Sequence, residues 1–348
     1  MLIYAATEPQ TTTTRIRPRF TFSYAYPEWL EDHHRRIVAS IDRFHLIDTN
    51  QLIRLTGYQE RRTQKLTKML EAKNYIRLFK RNAWARDDKQ SYIWGLLPRG
   101  AWLRSLETKT HFDTYRTYQD DPPAPMTAEH AIDLSDIRIS FELQAPLAGV
   151  EIAAWRDEPG WRRGDPLTVS EMNPIGHTTK HQFRPDGSVT LKNREGHTSY
   201  VFIEADRTNR NNWPAKIRAY KALWSSGTFH KLFGVTDLET GFRVLVTTRS
   251  HERANHLIAQ AETVGRKELA SLFLFAPIAT VATTANVFTS PIWARGGIGA
   301  GQSLYQPTTA NVAANPVFNL SESIQMINRP LADDCLPIPT YQLAFETL

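Results

Sequence analysis

The stretch Asp48-Thr49-Asn50-Gln51-Leu52-Ile53-Arg54-Leu55-Thr56-Gly57-Tyr58-Gln59-Glu60-Arg61-Arg62-Thr63-Gln64-Lys65-Leu66-Thr67-Lys68-Met69-Leu70 reads as two helices joined by a tight turn. Asp48 is placed to cap the first, Thr49 to Leu55, which carries Leu52 and Leu55 inward. Thr56-Gly57-Tyr58 makes the turn, with Gly57 able to take a positive φ. The second helix runs from about Gln59 to Lys73. Its apolar side holds Leu66, Met69 and Leu70, and its other side holds Arg61, Arg62, Lys65 and Lys68, with Thr63 and Gln64 among the charges. Cations flanking groups that hydrogen-bond base edges are what a helix lying in a DNA groove needs.

The flanks extend the same pattern. Before it, Trp29 to about Phe44 has Ile37, Ile41 and Phe44 spaced for one buried helix face. After it, Ile76 to Arg81 and Ser91 to Leu96 read as two strands, and Pro98 opens a last helix, Arg99 to Leu106. The hairpin is basic through Arg77, Lys80, Arg81, Arg86 and Lys89. Residues 28–107 therefore read as a winged helix-turn-helix that binds double-stranded DNA, with Arg61, Arg62, Gln64, Lys65, Lys68, Arg77, Lys80 and Arg81 as its contacts. The same charges would also suit a merely solvated face. Helix spacing, a basic third helix and a basic hairpin directly after it agree on the first reading.

Composition sets the outer limits. The chain has 348 residues and a formal net charge of +6, an excess that favours a polyanionic partner. A lone cysteine, Cys335, excludes an intrachain disulfide and a thiolate metal cluster and fits a reducing cytoplasm. Met1 to Arg19 lacks the apolar core of a signal peptide. Leu269 to Ala294 carries no charge, but Ser271, Pro277 and Thr280 interrupt it, so it reads as a buried strand followed by a loop and not as a membrane span. The expected organisation is a flexible basic arm over residues 1–27, the winged helix, a stiff polar linker over 108–126, an α/β domain over 127–305, and an irregular tail over 306–348. In the α/β domain the reading places helices at Pro214–Ser225 and His251–Thr263 and strands at Val201–Asp206, Phe242–Thr247 and Leu269–Phe275, with Ser250 capping the helix that starts at His251.

Three segments of that domain carry groups fit for chemistry: Arg184-Pro185-Asp186-Gly187, Val201-Phe202-Ile203-Glu204-Ala205-Asp206, and Lys216-Ile217-Arg218-Ala219-Tyr220. Glu204 and Asp206 sit two apart on a strand and share a face. With Asp186 on a neighbouring strand, the three carboxylates form a candidate Mg²⁺ site that would activate water for phosphodiester cleavage. Pro-Asp-Gly is also an ordinary turn, and the strand-end acids also suit a partner such as Arg207. The order Pro-Asp, gap, acidic-x-Lys resembles the PD-(D/E)xK nuclease superfamily. Here Asp206 stands in place of the lysine, Lys216 on the following helix would supply the ammonium, and Glu142 would match the superfamily's first-helix acid.

Both halves together resemble the replication-relaxation family of bacterial plasmids and other mobile elements. The carrying stretches are Asp48 to Leu52 through Lys73 to Ile76, His130 with Asp136-Ile137-Arg138, Glu204-Ala205-Asp206-Arg207-Thr208, and Lys216 to Tyr220. The resemblance implies an α/β (α+β) chain, a winged helix followed by a mixed-sheet nuclease-like domain. It also implies a role in plasmid or mobile-element replication or DNA relaxation, with DNA and replication proteins as partners. A Mg²⁺-dependent nicking or cleaving endonuclease and a winged-helix transcriptional regulator are the alternatives. A homodimer suits either, although no heptad-like seam stands out.

Overall fold

A computed structural model of the chain describes residues 27–80, 92–112, 115–118, 123–157, 166–172, 177–194, 196–207, 212–237 and 240–295. The predicted arm up to residue 26, the tail after residue 295, the tip of the hairpin with Arg81, Arg86 and Lys89, and Thr208 lie outside these residues.

The first unit follows the sequence pattern closely. Helix α1 (Asp32–Phe44) buries Ile37, Val38, Ile41 and Phe44. Asp48 caps α2 (Thr49–Thr56): its carboxylate accepts from the Gln51 backbone N–H at 2.8 Å, and Gln51 Oε1 accepts from the Asp48 N–H at 3.0 Å. Two donors at the helix start are thereby satisfied reciprocally. Gly57 closes α2 at φ +72°, a conformation that disfavours any side chain. Helix α3 (Glu60–Ala72) follows, then β2 (Ile76–Lys80), β3 (Tyr92–Leu96) and α4 (Pro98–Thr108). Gly100 lets α4 approach β2 closely, since a Cβ there would stand 2.3 Å from the Tyr75 carbonyl oxygen.

One strand escapes the sequence pattern. Leu46–Asp48 forms β1, which pairs antiparallel with β3 and completes a sheet of order β1-β3-β2. Three residues are too short for a period-2 signal, so only the partner strand reveals it. Ile37, Ile41, Leu52, Leu70, Trp94 and Leu103 fill the core between this sheet and the helices.

The second unit is a mixed sheet covered on both faces. It runs from α5 (Pro125–Ala148) through β4 (Glu151–Asp157), the hairpin β5 (Leu167–Met172) and β6 (Thr178–Phe183), then β7 (Gly187–Lys192) and β8 (Thr198–Asp206). Helices α6 (Trp213–Ser225) and α7 (Thr228–Phe233), strand β9 (Phe242–Thr248), α8 (His251–Ala270), β10 (Phe273–Pro277), α9 (Ile278–Thr283) and β11 (Ala294–Arg295) complete it. The sheet order is β11-β10-β9-β8-β7-β4, with β8, β9 and β10 parallel and the outer pairs antiparallel. The chain is thus mixed α/β, as its pattern predicts.

The alternation along β8 decides which side chains meet which layer. Val201 and Ile203 pack with Phe141 of α5, Val281 of α9 and the buried Trp293. Tyr200 and Phe202 pack with Trp213, Ile217, Tyr220 and Leu223 of α6 and Leu257 of α8. Glu204 and Asp206 fall on this second face. Two predicted boundaries need correction. The helix begun at His251, where Ser250 Oγ accepts from the Arg253 N–H at 3.2 Å, continues to Ala270, and the strand expected from Leu269 starts at Phe273. No proline interrupts that stretch, so the helix simply runs on.

Helix α5 joins the two units. Ile139 lies in the first core while Ile137 and Phe141 lie in the second, so the helix is buried on two sides. Gln51 Nε2 donates to the Ile132 carbonyl at 2.8 Å, and Ser135 Oγ to the Leu46 carbonyl at 3.0 Å. Arg54 donates to Asp136 at 2.7 Å and to Ser140 at 2.9 Å. Within the stretch read as a stiff linker, Tyr118 is buried, and its N–H donates to the Leu96 carbonyl at 2.9 Å. Among the described residues no helix is long and apolar enough to cross a membrane.

Candidate functional site

Helix α3 turns its cations outward. Arg61, Arg62, Lys65 and Lys68 are exposed, and Leu66 and Leu70 are buried beneath them. None of the four has a carboxylate partner among the described residues; Arg62 rests over the Tyr58 ring, 4.8 Å from its centroid. Gln64 lies on the same face and donates to Glu60 at 3.0 Å. Thr63, expected among the outward groups, is fully buried, and its hydroxyl donates to the Gln59 carbonyl at 3.2 Å. A residue three before Leu66 and seven before Leu70 shares their side of the helix.

Arg77 is placed differently from the α3 cations. It stands on β2 with its guanidinium over the Phe79 ring and donating to the Tyr118 carbonyl at 3.4 Å. Tyr118 packs edge-on against Phe79 on the same strand, 5.8 Å between ring centroids, so Arg77 helps to hold Tyr118 in place. Lys80 ends β2.

The second cluster gathers where β7 starts and β8 ends. Glu204 has no exposure; Tyr220 donates to its Oε1 at 2.6 Å, and the Lys216 ammonium is ion-paired with its Oε2. Lys216 and Tyr220 are four apart on α6 and project from one face. Asp186, just ahead of β7, accepts the Ala205 N–H on Oδ2 at 2.9 Å, and its Oδ1 stands 3.4 Å from His130 Nε2 on α5. Asp206 turns to Arg253 of α8, 2.6 Å away. Beside it Arg207 bridges Glu129 and Asp133 of α5, each at 2.6 Å.

The electrostatics follow from burial against one internal cation. Burial pushes the Glu204 carboxyl up to about 7 against the pull of Lys216. Burial alone would also raise Asp186, yet Lys216, His130 and the Ala205 N–H hold it well below the usual carboxylate range. For Lys216 burial works downward, and Glu204 and Asp186 outweigh it, keeping the ammonium charged. Tyr220 is raised by burial and by the Glu204 charge it faces, so it stays a donor.

Residues 38–238, more than half of the chain, match the family described as replication-relaxation. The chain belongs to the replication-relaxation family. Among curated proteins and solved structures nothing matches it. Family membership associates it with the replication or relaxation of plasmid and mobile-element DNA. The matched span takes in α2, α3, the small sheet, α5, and β8 with the Lys216–Tyr220 turn of α6, so both clusters lie within the family region.

The residues present do not fit the divalent ion that the nuclease pattern implies. Among the described residues no group of three or more His, Cys, Asp or Glu side chains could hold a metal. Both Glu204 oxygens are engaged by Tyr220 and Lys216, Asp186 by a backbone N–H and His130, and Asp206 by Arg253. A resident ammonium stands where a cation would be required. Glu142, expected as a first-helix acid, is bound by Arg43 at 2.6 Å and Arg138 at 2.8 Å. The α5 side chains that reach the cluster are Glu129, His130 and Asp133. Glu142 lies twelve residues beyond His130, roughly 18 Å along a helix axis.

Tyr220, Arg253 and the Glu129–Asp133–Arg207 bridge carry weight that the sequence reading did not assign them. The i, i+4 spacing of Lys216 and Tyr220 was the available signal for the first. The other contacts join segments far apart in the chain, which no local pattern displays.

Proposed function

We propose that residues 28–107 act as a winged helix that grips duplex DNA through α3, and that the chain serves as a DNA-binding component in plasmid or mobile-element replication or relaxation. The observation that carries this is the contrast between two sets of cations. Arg54, Arg104, Arg138, Arg207 and Arg253 are all held by internal carboxylates. Arg61, Arg62, Lys65 and Lys68 are not, although they share one short helix. Four cations on one face repel each other and have no carboxylate partner among the described residues, while each gains from a phosphate by releasing counterions. The element order α1-β1-α2-α3-β2-β3 supports the same reading: the second of two short helices is presented outward and a hairpin follows it.

The nuclease-like unit then serves as a scaffold that holds the DNA-binding unit through α5. Its polar cluster is closed by its own lysine, which favours a binding role over metal-dependent cleavage.

Fluorescence anisotropy with a labelled duplex of about 20 base pairs, repeated across salt concentrations, tests the reading. Log affinity should fall steeply with log salt, with a slope near −0.9 for each phosphate neutralised. A flat salt dependence, or full affinity after Arg61, Arg62 and Lys65 are all changed to Ala, overturns it.

A further inference from the structure

Helix α1 carries three arginines, and two of them are neutralised within the fold. Arg35 is ion-paired with Asp32 one turn back, and Arg43 with Glu142 of α5 at 2.6 Å. Arg36 is exposed and has no carboxylate partner among the described residues. Its guanidinium lies over the Tyr58 ring instead, 5.7 Å from the centroid.

The same ring receives Arg62 of α3, 4.8 Å from its centroid. Tyr58 stands in the turn between α2 and α3, half-buried against the first core, so packing fixes its position. Two like charges from separate helices are thereby held beside one ring, although they repel each other. The attraction of each cation to the ring offsets part of that repulsion. It leaves the N–H groups of both guanidinium forks open, since neither arginine donates a hydrogen bond among the described residues. Glu60, the acid closest to Arg62 in the chain, accepts from Gln64 at 3.0 Å. The arrangement collects positive charge on the turn side of α3 and supplies no anion to meet it.

We propose that Arg36 extends the DNA contact from α3 onto α1, and that Tyr58 is the positioning residue that holds it beside Arg62. The ligand is the phosphate backbone of one strand of a duplex. This rests on the reading that α3 lies in a groove of duplex DNA. A helix in the major groove is flanked by a row of phosphates on each side, and a cation pair that spans from it to a neighbouring helix meets one of those rows. A guanidinium fork matches phosphate oxygens in two parallel hydrogen bonds and reads no sequence. Arg36 and Arg62 thus set where α3 sits along the duplex, and their contribution is the same for every base sequence.

Anisotropy of a labelled duplex across a salt series tests this on the full chain. Arg36→Ala should raise the dissociation constant roughly five- to ten-fold for unrelated duplexes alike and make the salt slope shallower by about 0.9. Arg35→Ala, whose charge Asp32 already holds, should change either quantity far less, which separates Arg36 from the general charge of α1. Tyr58→Leu should weaken binding roughly three-fold with the slope intact, because both cations remain but are no longer held in place. Tyr58→Phe keeps the ring and should bind as wild type. Arg36 is exposed, so Arg36→Ala stays readable even where Tyr58→Leu lowers the melting temperature. Unchanged affinity and slope in Arg36→Ala, or equal losses in Arg35→Ala and Arg36→Ala, overturns this inference alone when the Arg61, Arg62 and Lys65 triple variant has lost binding. Full affinity in that triple variant overturns the α3 reading and this inference with it.

Discussion

The Lys216 ammonium and the Glu204 carboxylate form an ion pair on the inner face of β8, and Tyr220 supplies a hydrogen bond of 2.6 Å to the other carboxylate oxygen. Glu204 sits among Phe202, Tyr220 and neighbouring rings, where an unpaired charge could not persist. Removing one partner of such a pair strands the other, whereas replacing both with neutral groups of similar size is often tolerated. Lys216→Met is therefore expected to lower unfolding free energy by about 3–5 kcal/mol in urea titration. Lys216→Met combined with Glu204→Gln should recover a large part of that loss. Losses that simply add in the double variant would show that the two groups are not coupled.

The same pair bears on metal dependence. With Lys216 supplying the counter-charge to Glu204 and Asp186, a divalent ion has no vacant ligand set to enter. A ligand that binds only the folded state raises its stability in proportion to log concentration. About 5 mM Mg²⁺ or Mn²⁺ should accordingly leave the melting temperature of the wild-type chain unchanged. A rise of several degrees, abolished by Asp186→Asn, would restore the metal-dependent reading.

How much of this was legible in the sequence depends on the range of each interaction. The α2–α3 turn could be read because its signals are local: Asp48 and Gln51 are three apart, and Gly57 stands where the left-handed turn falls. Glu204 and Asp206 could be assigned one face because strands alternate. Their partners could not be assigned in the same way. Arg253 reaches Asp206 across forty-seven positions, and Arg54 reaches Asp136 across eighty-two. Thr63 shows a failure at short range: its hydroxyl looked like a base-reading group, but its place three residues before Leu66 turns it inward. Arg77 likewise counted as a wing cation, but its guanidinium donates to the Tyr118 carbonyl.

The burial of Asp136 beside Arg54 makes the junction of the two units sensitive to pH. Burial pushes the Asp136 carboxyl up to about 6, with Gln51 and Arg54 opposing the rise. Because the folded value lies above the ordinary 3.8, the folded chain holds this proton more tightly than the unfolded chain does. The resulting stabilisation is complete below about pH 4 and is lost as pH rises through about 6. Wild type should therefore lose on the order of 2–3 kcal/mol over that interval relative to Asp136→Asn. Equal pH dependence of the two proteins in parallel urea titrations would remove Asp136 from the explanation.

The positions of Lys65 and Arg77 lead to opposite expectations for two cations that the sequence places in one DNA-contacting set. Lys65 is exposed on α3 with no carboxylate partner among the described residues, so its replacement removes charge without disturbing the core. Lys65→Ala should weaken binding to unrelated duplexes by similar factors and make the salt slope shallower by about 0.9, while the melting temperature stays constant. Arg77 donates to the Tyr118 carbonyl and packs over Phe79, so Arg77→Ala loosens the hold on Tyr118. Its expected effect is a loss of about 1 kcal/mol of stability with the salt slope unchanged. Anisotropy across a salt series, run beside thermal melts of the same preparations, separates the two. If Arg77→Ala instead flattened the slope and left stability intact, the β2 face would belong to the DNA contact and the role of Arg77 in holding Tyr118 would have to be abandoned.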